Sequence, residues 1–187
     1  KDMGITTFLV PSNADLSGLD VMADEFGVNV ALLATPATQV GVVGQLASHS
    51  KRIGIGIDTG LWTQEGVNAS TAIPAIKDRL LYVRIGDRSG RGATGRTVLP
   101  GKGTGNLTQF FSELNRLNVR PLALTLDTTG IINAPADIFT AVNAFEDVAQ
   151  PAYAANFTGY SKTKTSRFDL VHPRRDEHPS PAEIEKQ

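Results

Sequence analysis

Five short runs rich in branched aliphatic residues recur along the chain: Ile5 to Val10, Val28 to Leu33, Ile53 to Asp58, Leu80 to Ile85 and Leu122 to Leu126. Each is too short for a helix and too continuously apolar for a strand with one wet face, which predicts buried parallel strands. The segments between them carry helical spacing. Leu16, Leu19, Val21, Met22 and Phe26 follow the candidate caps Asn13 or Asp15 and end at Gly27. Val40, Val43, Leu46 and Ala47 form the next apolar face, weakened by Gly41 and Gly44. Asn68 precedes Ile73, Pro74 and Ile76, and Asn106 caps the clearest amphipathic set, Leu107, Phe110, Phe111, Leu114 and Leu117. A last helix from Pro135 to about Gln150 presents Ile138, Phe139, Val142 and Phe145. Five successive βα units predict an α/β domain around a parallel sheet.

Composition removes several functions. The chain has 187 residues, 18 basic against 19 acidic, so no global field favours nucleic acid or an anionic membrane. Cysteine is absent, which excludes disulfides, thiol catalysis and cysteine metal sites while fitting cytoplasm and periplasm equally. No run of about 18 apolar residues offers a membrane span. Lys1-Asp2-Met3-Gly4-Ile5 leads straight into a strand without a signal-peptide pattern and reads as the middle of a longer sequence. After Ser161 the pattern stops. Residues 161–187, with His172-Pro173-Arg174-Arg175-Asp176-Glu177-His178-Pro179, read as an irregular polar tail or linker behind a domain of residues 1–160.

A doubly wound sheet and part of a (β/α)8 barrel both fit the alternation. Val10-Pro11-Ser12-Asn13-Ala14 supplies no glycine-rich dinucleotide turn. Aspartates do stand where strands end: Asp58, Asp87 and Asp127. In either architecture the site gathers at the carboxyl ends of strands.

Gly54-Ile55-Gly56-Ile57-Asp58-Thr59-Gly60-Leu61-Trp62 resembles the Asp-Thr-Gly-His-Trp segment of the xylose-isomerase-like TIM barrels. Asp78-Arg79-Leu80-Leu81-Tyr82-Val83-Arg84-Ile85-Gly86-Asp87-Arg88 is similar to the strand that follows in those proteins, and Leu99-Pro100-Gly101-Lys102-Gly103-Thr104-Gly105-Asn106-Leu107 to their loop before the next helix. Ala23-Asp24-Glu25-Phe26-Gly27-Val28-Asn29-Val30-Ala31-Leu32 matches further upstream, so the resemblance spans about residues 1 to 130. It implies a fold and chemistry shared with metal-dependent sugar isomerases, sugar-phosphate epimerases and the related abasic-site endonucleases. Such barrels need about 250 residues. Five βα units would correspond to strands four to eight, with about three units upstream in the parent protein or supplied by further domains.

The resemblance also implies a divalent cation, Mn, Mg or Zn, held by Glu, Asp, His and Glu. Those positions fall at Leu33, Asp58, Arg84 and Thr125, so only Asp58 is kept. The other two histidines of the pattern fall at Leu61 and Tyr82, and a register slip would bring Asp127 to the last ligand position. Divalent metals need several carboxylate or imidazole donors, and Arg84 would place a fixed positive charge near the cation position. No metal and no other cofactor is therefore expected, and an Arg84–Asp58 salt bridge is expected in its place.

Other residues carry two readings each. Asp58, Asp87 and Asp127 form a carboxylate cluster for acid–base work or a weak magnesium site, or else they cap turns and pair with neighbouring bases. Arg84, Arg88, Arg91, Arg96 and Lys102, interleaved with Gly101, Gly103 and Gly105, make a mobile surface loop or an anion site ahead of a helix. Trp62 stacks on a sugar or covers the barrel rim. Tyr153, Phe157 and Tyr160 read as packing residues, and Asp24 and Glu25 as a solvated helix face. With only His49, His172 and His178 available, no Ser-His-Asp nucleophile can be assembled in the barrel part. The expected function is a non-catalytic structural or ligand-binding part of a larger protein, with a degenerate metal site. Two alternatives remain: an active isomerase or epimerase with remodelled acid–base chemistry on a small sugar or anion, and an interaction subunit that docks through the basic loop and tail.

Overall fold

The structure, a computed structural model, describes residues 5–154, so the expected tail lies outside the described residues. In chain order the elements are β1 (Thr7–Pro11), α1 (Leu19–Phe26), β2 (Asn29–Ala34), α2 (Gln39–Gln45), β3 (Ile53–Asp58), α3 (Thr59–Gln64), α4 (Ile73–Ile76) and β4 (Leu80–Ile85). They continue with β5 (Asp87–Arg88), β6 (Thr97–Val98), α5 (Leu107–Arg116), β7 (Ala123–Leu126) and α6 (Pro135–Ala154). Five strands form one parallel sheet in the order β1-β2-β3-β4-β7, wound with helices, as a partial TIM barrel. The short β5–β6 ribbon, which the sequence reading missed, pairs Asp87 with Val98 inside the glycine-rich loop.

Strand β3 shows how the sheet is built. Its sequence Ile-Gly-Ile-Gly-Ile-Asp alternates, and side chains of a strand alternate between faces. Ile53, Ile55 and Ile57 are fully buried in the hydrophobic core with Val30, Leu32, Val83 and Ile85. Gly54 and Gly56 occupy the other face, where a Cβ on Gly56 would stand 2.6 Å from Leu9 Cδ1 and 3.3 Å from Tyr82 Cδ1. Asp58 continues this second face at the strand's carboxyl end. Side chains of the neighbouring strands thus close over the floor of the site only because β3 carries no side chain below Asp58.

The helices cover the core face. On α5, Leu107, Phe110, Phe111 and Leu114 are buried, and Phe111 meets Phe145 of α6 edge to face at 5.6 Å between ring centres. Helix α6 runs past the expected end to Ala154, with Pro151 inside it removing one backbone N–H donor. Its Ile138 and Phe139, expected on the buried face, are exposed.

Three further expectations need correction. Helix α1 starts at Leu19 behind Gly18, not behind Asn13 or Asp15, because the Asp15 carboxylate closes a tight turn on the Ser17 N–H at 2.9 Å. Val21, Met22 and Phe26 are exposed, and on α2 Val42 is buried while Val40 is 84% exposed. Asn106 stands at the helix start with φ 50°, but its side chain donates to Gln109 instead of capping a backbone N–H. Gly27 does end α1, at φ 63°, as read from the sequence.

The runs read as buried strands are buried only in the middle of the sheet. Leu32, Ile55, Val83 and Ile85 are inaccessible, whereas Phe8 and Leu9 on β1 and Leu122 and Leu124 beside or within β7 are exposed. Among the described residues those strands are the two edges, each with a neighbour on one side only. Apolar side chains that a closed barrel would cover stand open there.

Candidate functional site

Sheet register brings the expected ligand positions together. Asp58 pairs with Arg84, and Arg84 pairs with Thr125, so the three form one row at the carboxyl ends of β3, β4 and β7. Leu33 pairs with Gly56, two residues before Asp58, and therefore lies on the same face one row lower. Thr125, not Asp127, stands opposite Arg84. The register slip that would have supplied a carboxylate at that position does not occur.

Asp58 is 2% exposed. It is the N-cap of α3, and its Oδ1 accepts the N–H groups of Gly60 at 2.8 Å and Leu61 at 3.1 Å. Its Oδ2 lies 2.9 Å from Arg84 Nε, the pair expected from the sequence. The Nε–H does not point along that line, so the contact is an ion pair without a hydrogen bond. Arg84 Nη2 donates to Asp127 Oδ2 at 3.3 Å, and the Thr129 N–H and hydroxyl hold Asp127 Oδ1 at 3.1 and 2.7 Å. The guanidinium thus sits between two carboxylates, with its side chain 44% exposed at the mouth.

Burial raises the Asp58 pKa, and the Leu61 N–H, the Arg84 charge and the Gly60 N–H offset only part of that rise. Burial pushes Asp127 the same way, but the Thr129 donors and Arg84 outweigh it and hold that carboxyl below its ordinary value. Two carboxylates linked by one cation are therefore driven in opposite directions by their donors.

Asp87 does not join them. It is 1% exposed, and its oxygens accept four backbone N–H groups: Arg88 and Gly105 on Oδ1 at 2.9 and 3.0 Å, Gly101 and Gly103 on Oδ2 at 2.9 Å each. The three-aspartate cluster is thus two separate arrangements. Loop 99–105, expected to be a mobile surface loop or a phosphate site, is tied to the protein's own carboxylate. The signal for this was present in the alternate glycines, which were read as a mobile loop or as a cradle for an outside anion.

The remaining candidates have structural partners. Trp62 is 1% exposed and donates its indole N–H to the Ala34 carbonyl at 3.0 Å, pinning α3 to the end of β2; it is closed to stacking on a sugar. Arg88 donates to the Gly95 carbonyl within its own loop. Lys102, Arg91 and Arg96 are exposed. Tyr82 and Thr125 share a hydroxyl hydrogen bond of 2.6 Å. Sequence reasoning missed Thr59, whose hydroxyl donates to the Gly86 carbonyl at 2.7 Å and accepts the Gly86 N–H at 2.9 Å, clasping the ends of β3 and β4. His49 precedes β3, at the opposite end of the sheet from Asp58, and its Nδ1 lies 2.5 Å from Asp20 Oδ2. Asp24, read as part of a solvated face, pairs with Arg52 at 2.9 Å. His172, His178, Phe157 and Tyr160 lie outside the described residues, as does the side chain of Tyr153.

The residues present do not fit the divalent cation that the resemblance implies. Asp58 Oδ1 is already an N-cap acceptor and Oδ2 faces a guanidinium; Leu33 offers no donor, and Arg84 brings a permanent positive charge to the position where the resemblance implies a ligating histidine. Among the described residues, no three His, Asp or Glu side chains lie close enough together to hold a metal ion.

No family model and no curated protein matches this chain. Solved structures do. A D-tagatose 3-epimerase-like protein matches with TM-score 0.60 at 14% identity, over 75% of this chain and 54% of that one. The IOLI protein, in a structure with a bound zinc atom, matches with TM-score 0.61 at 16% identity, over 80% of this chain and 64% of that one. A xylose isomerase domain protein from Planctomyces limnophilus matches with TM-score 0.59 at 15% identity, over 73% and 52%. The chain spans about half to two thirds of the length of these structures. Its five parallel strands have the fold of part of a TIM barrel, as these similar structures do.

Proposed function

We propose that this chain is a divergent segment of a sugar isomerase- or epimerase-like barrel that serves as a non-catalytic structural or ligand-binding part of a larger protein. One observation carries the reading: Arg84 lies in the row of metal positions, 2.9 Å from the only retained ligand. A guanidinium cannot give up its proton to become a ligand, and its charge repels a divalent ion from the same place. It links the strand ends as a cation would, but it has no open coordination position with which to polarise a sugar carbonyl. The open edges support the larger protein. The exposed Phe8 and Leu9 on β1 and Leu124 on β7 are surfaces that further βα units, upstream in the same parent, would cover.

Proton exchange at the substrate carbon tests this. The protein is incubated in deuterated buffer with ketoses and ketose phosphates, with Mn, Mg or Zn added in turn. Absence of carbon-bound deuterium in every combination supports the reading. Incorporation that Asp58→Ala abolishes would overturn it and favour a remodelled acid–base enzyme.

A further inference from the structure

The glycine loop ahead of α5 is built as a receptor for a small oxyanion. The N–H groups of Gly101, Gly103 and Gly105, with that of Arg88, converge on two oxygens at 2.9 to 3.0 Å. Converging main-chain N–H groups of this kind form an anion-binding concavity. The cradle exists only because its residues lack side chains. A Cβ on Gly103 would run into the Asp87 carboxylate and the Arg88 carbonyl, and one on Gly105 would stand 2.7 Å from Thr63 Oγ1 and 2.9 Å from Asp87 Oδ1. Gly101 holds φ 78°, a conformation that strains any other residue. An open cleft of about 290 Å³, lined by Asp87, Gly101, Gly103, Thr104, Asn106 and Leu107 among others, adjoins the cradle.

We infer that this loop is a self-occupied oxyanion site, in which the Asp87 carboxylate is the resident ligand and its removal opens the cradle, through the cleft, to an outside oxyanion. Without the Asp87 carboxylate, four inward N–H dipoles lose their counter-charge. Phosphate, sulfate and carboxylates are the chemical class that satisfies such donors. In the wild-type chain the site is closed, so the phosphate of a sugar phosphate is not recognised at this loop. The inference is independent of whether the strand-end site is catalytic.

The test is thermal unfolding of the wild type, Asp87→Ala and the double variant Asp87→Ala with Gly103→Ala, in phosphate, sulfate or acetate against chloride of equal ionic strength. Asp87→Ala is expected to regain roughly 5 °C at saturating oxyanion relative to chloride. The wild type should show only the general stabilisation that excluded salts give any folded protein, and the methyl group of Gly103→Ala should abolish the excess seen in Asp87→Ala. The tetrahedral and planar anions distinguish phosphate recognition from carboxylate recognition. If Asp87→Ala unfolds in chloride, the yield of refolding from denaturant in phosphate is the readout, and recovery there supports the site. Equal behaviour in oxyanion and chloride, or an equal oxyanion shift in the wild type, would overturn the inference.

Discussion

Asp58 and Asp87 are both buried carboxylates at the carboxyl end of one sheet, yet they are stabilised in different ways. Asp58 has two helix N–H groups and a half-exposed guanidinium; Asp87 has four backbone N–H groups and, among the described residues, no paired base. The first arrangement depends on charge and therefore on pH and on a neighbour that can be mutated. The second depends on the path of the main chain. A carboxylate at a strand end thus points to metal or acid–base chemistry only after its donors have been counted, since donors already committed leave nothing for a substrate.

The largest effect should come from Asp87. Asp87→Ala strands four N–H groups in a closed loop and is expected to cost about 3–5 kcal/mol, read by chemical denaturation. Asp87→Asn, which keeps an acceptor, should cost less; equal costs would mean that the nest contributes little. Next comes Arg84→Met, which leaves Asp58 buried without its cation and should cost about 2–3 kcal/mol at neutral pH. The pH dependence fixes the cause. Because burial raises the Asp58 pKa in the folded state, its contribution is favourable at low pH and is lost as pH rises from the ordinary carboxylate range through that raised value. The Arg84→Met deficit should therefore shrink on acidification, and a deficit independent of pH would assign Arg84 a packing role alone.

The smallest effect belongs to Asp127, whose folded pKa is depressed. Its contribution is present above the ordinary carboxylate range and is lost as pH falls through the folded value. Asp127→Asn should cost about 1 kcal/mol at neutral pH and flatten the acid limb of the stability curve. An unchanged acid limb would place the acid sensitivity at other carboxylates, with Asp20 and Asp137 the first to examine.

Local patterns were readable in the sequence and long-range ones were not. The five strands stand within two residues of their sequence positions because apolar runs and alternation are properties of neighbouring residues. Asp58 as a cap followed from its place at a strand end, and its pairing with Arg84 from the neighbouring positions that the resemblance implies. What failed needed knowledge of the other partner. Phe8 and Leu124 are as apolar as Leu32, but they sit on strands with one neighbour. Trp62 is decided by the Ala34 carbonyl, 28 positions away, and Asp87 by a loop that returns 14 to 18 positions later. The glycine loop was legible as an anion cradle, but the identity of its anion was a tertiary fact.

Arg84 is proposed to stand in for a divalent cation beside Asp58, and calorimetric titration of Mn and Zn into the wild type and Asp58→Ala decides whether it does. The expected result is no stoichiometric binding that depends on Asp58. One metal ion per chain, bound by the wild type and lost in Asp58→Ala, would contradict it.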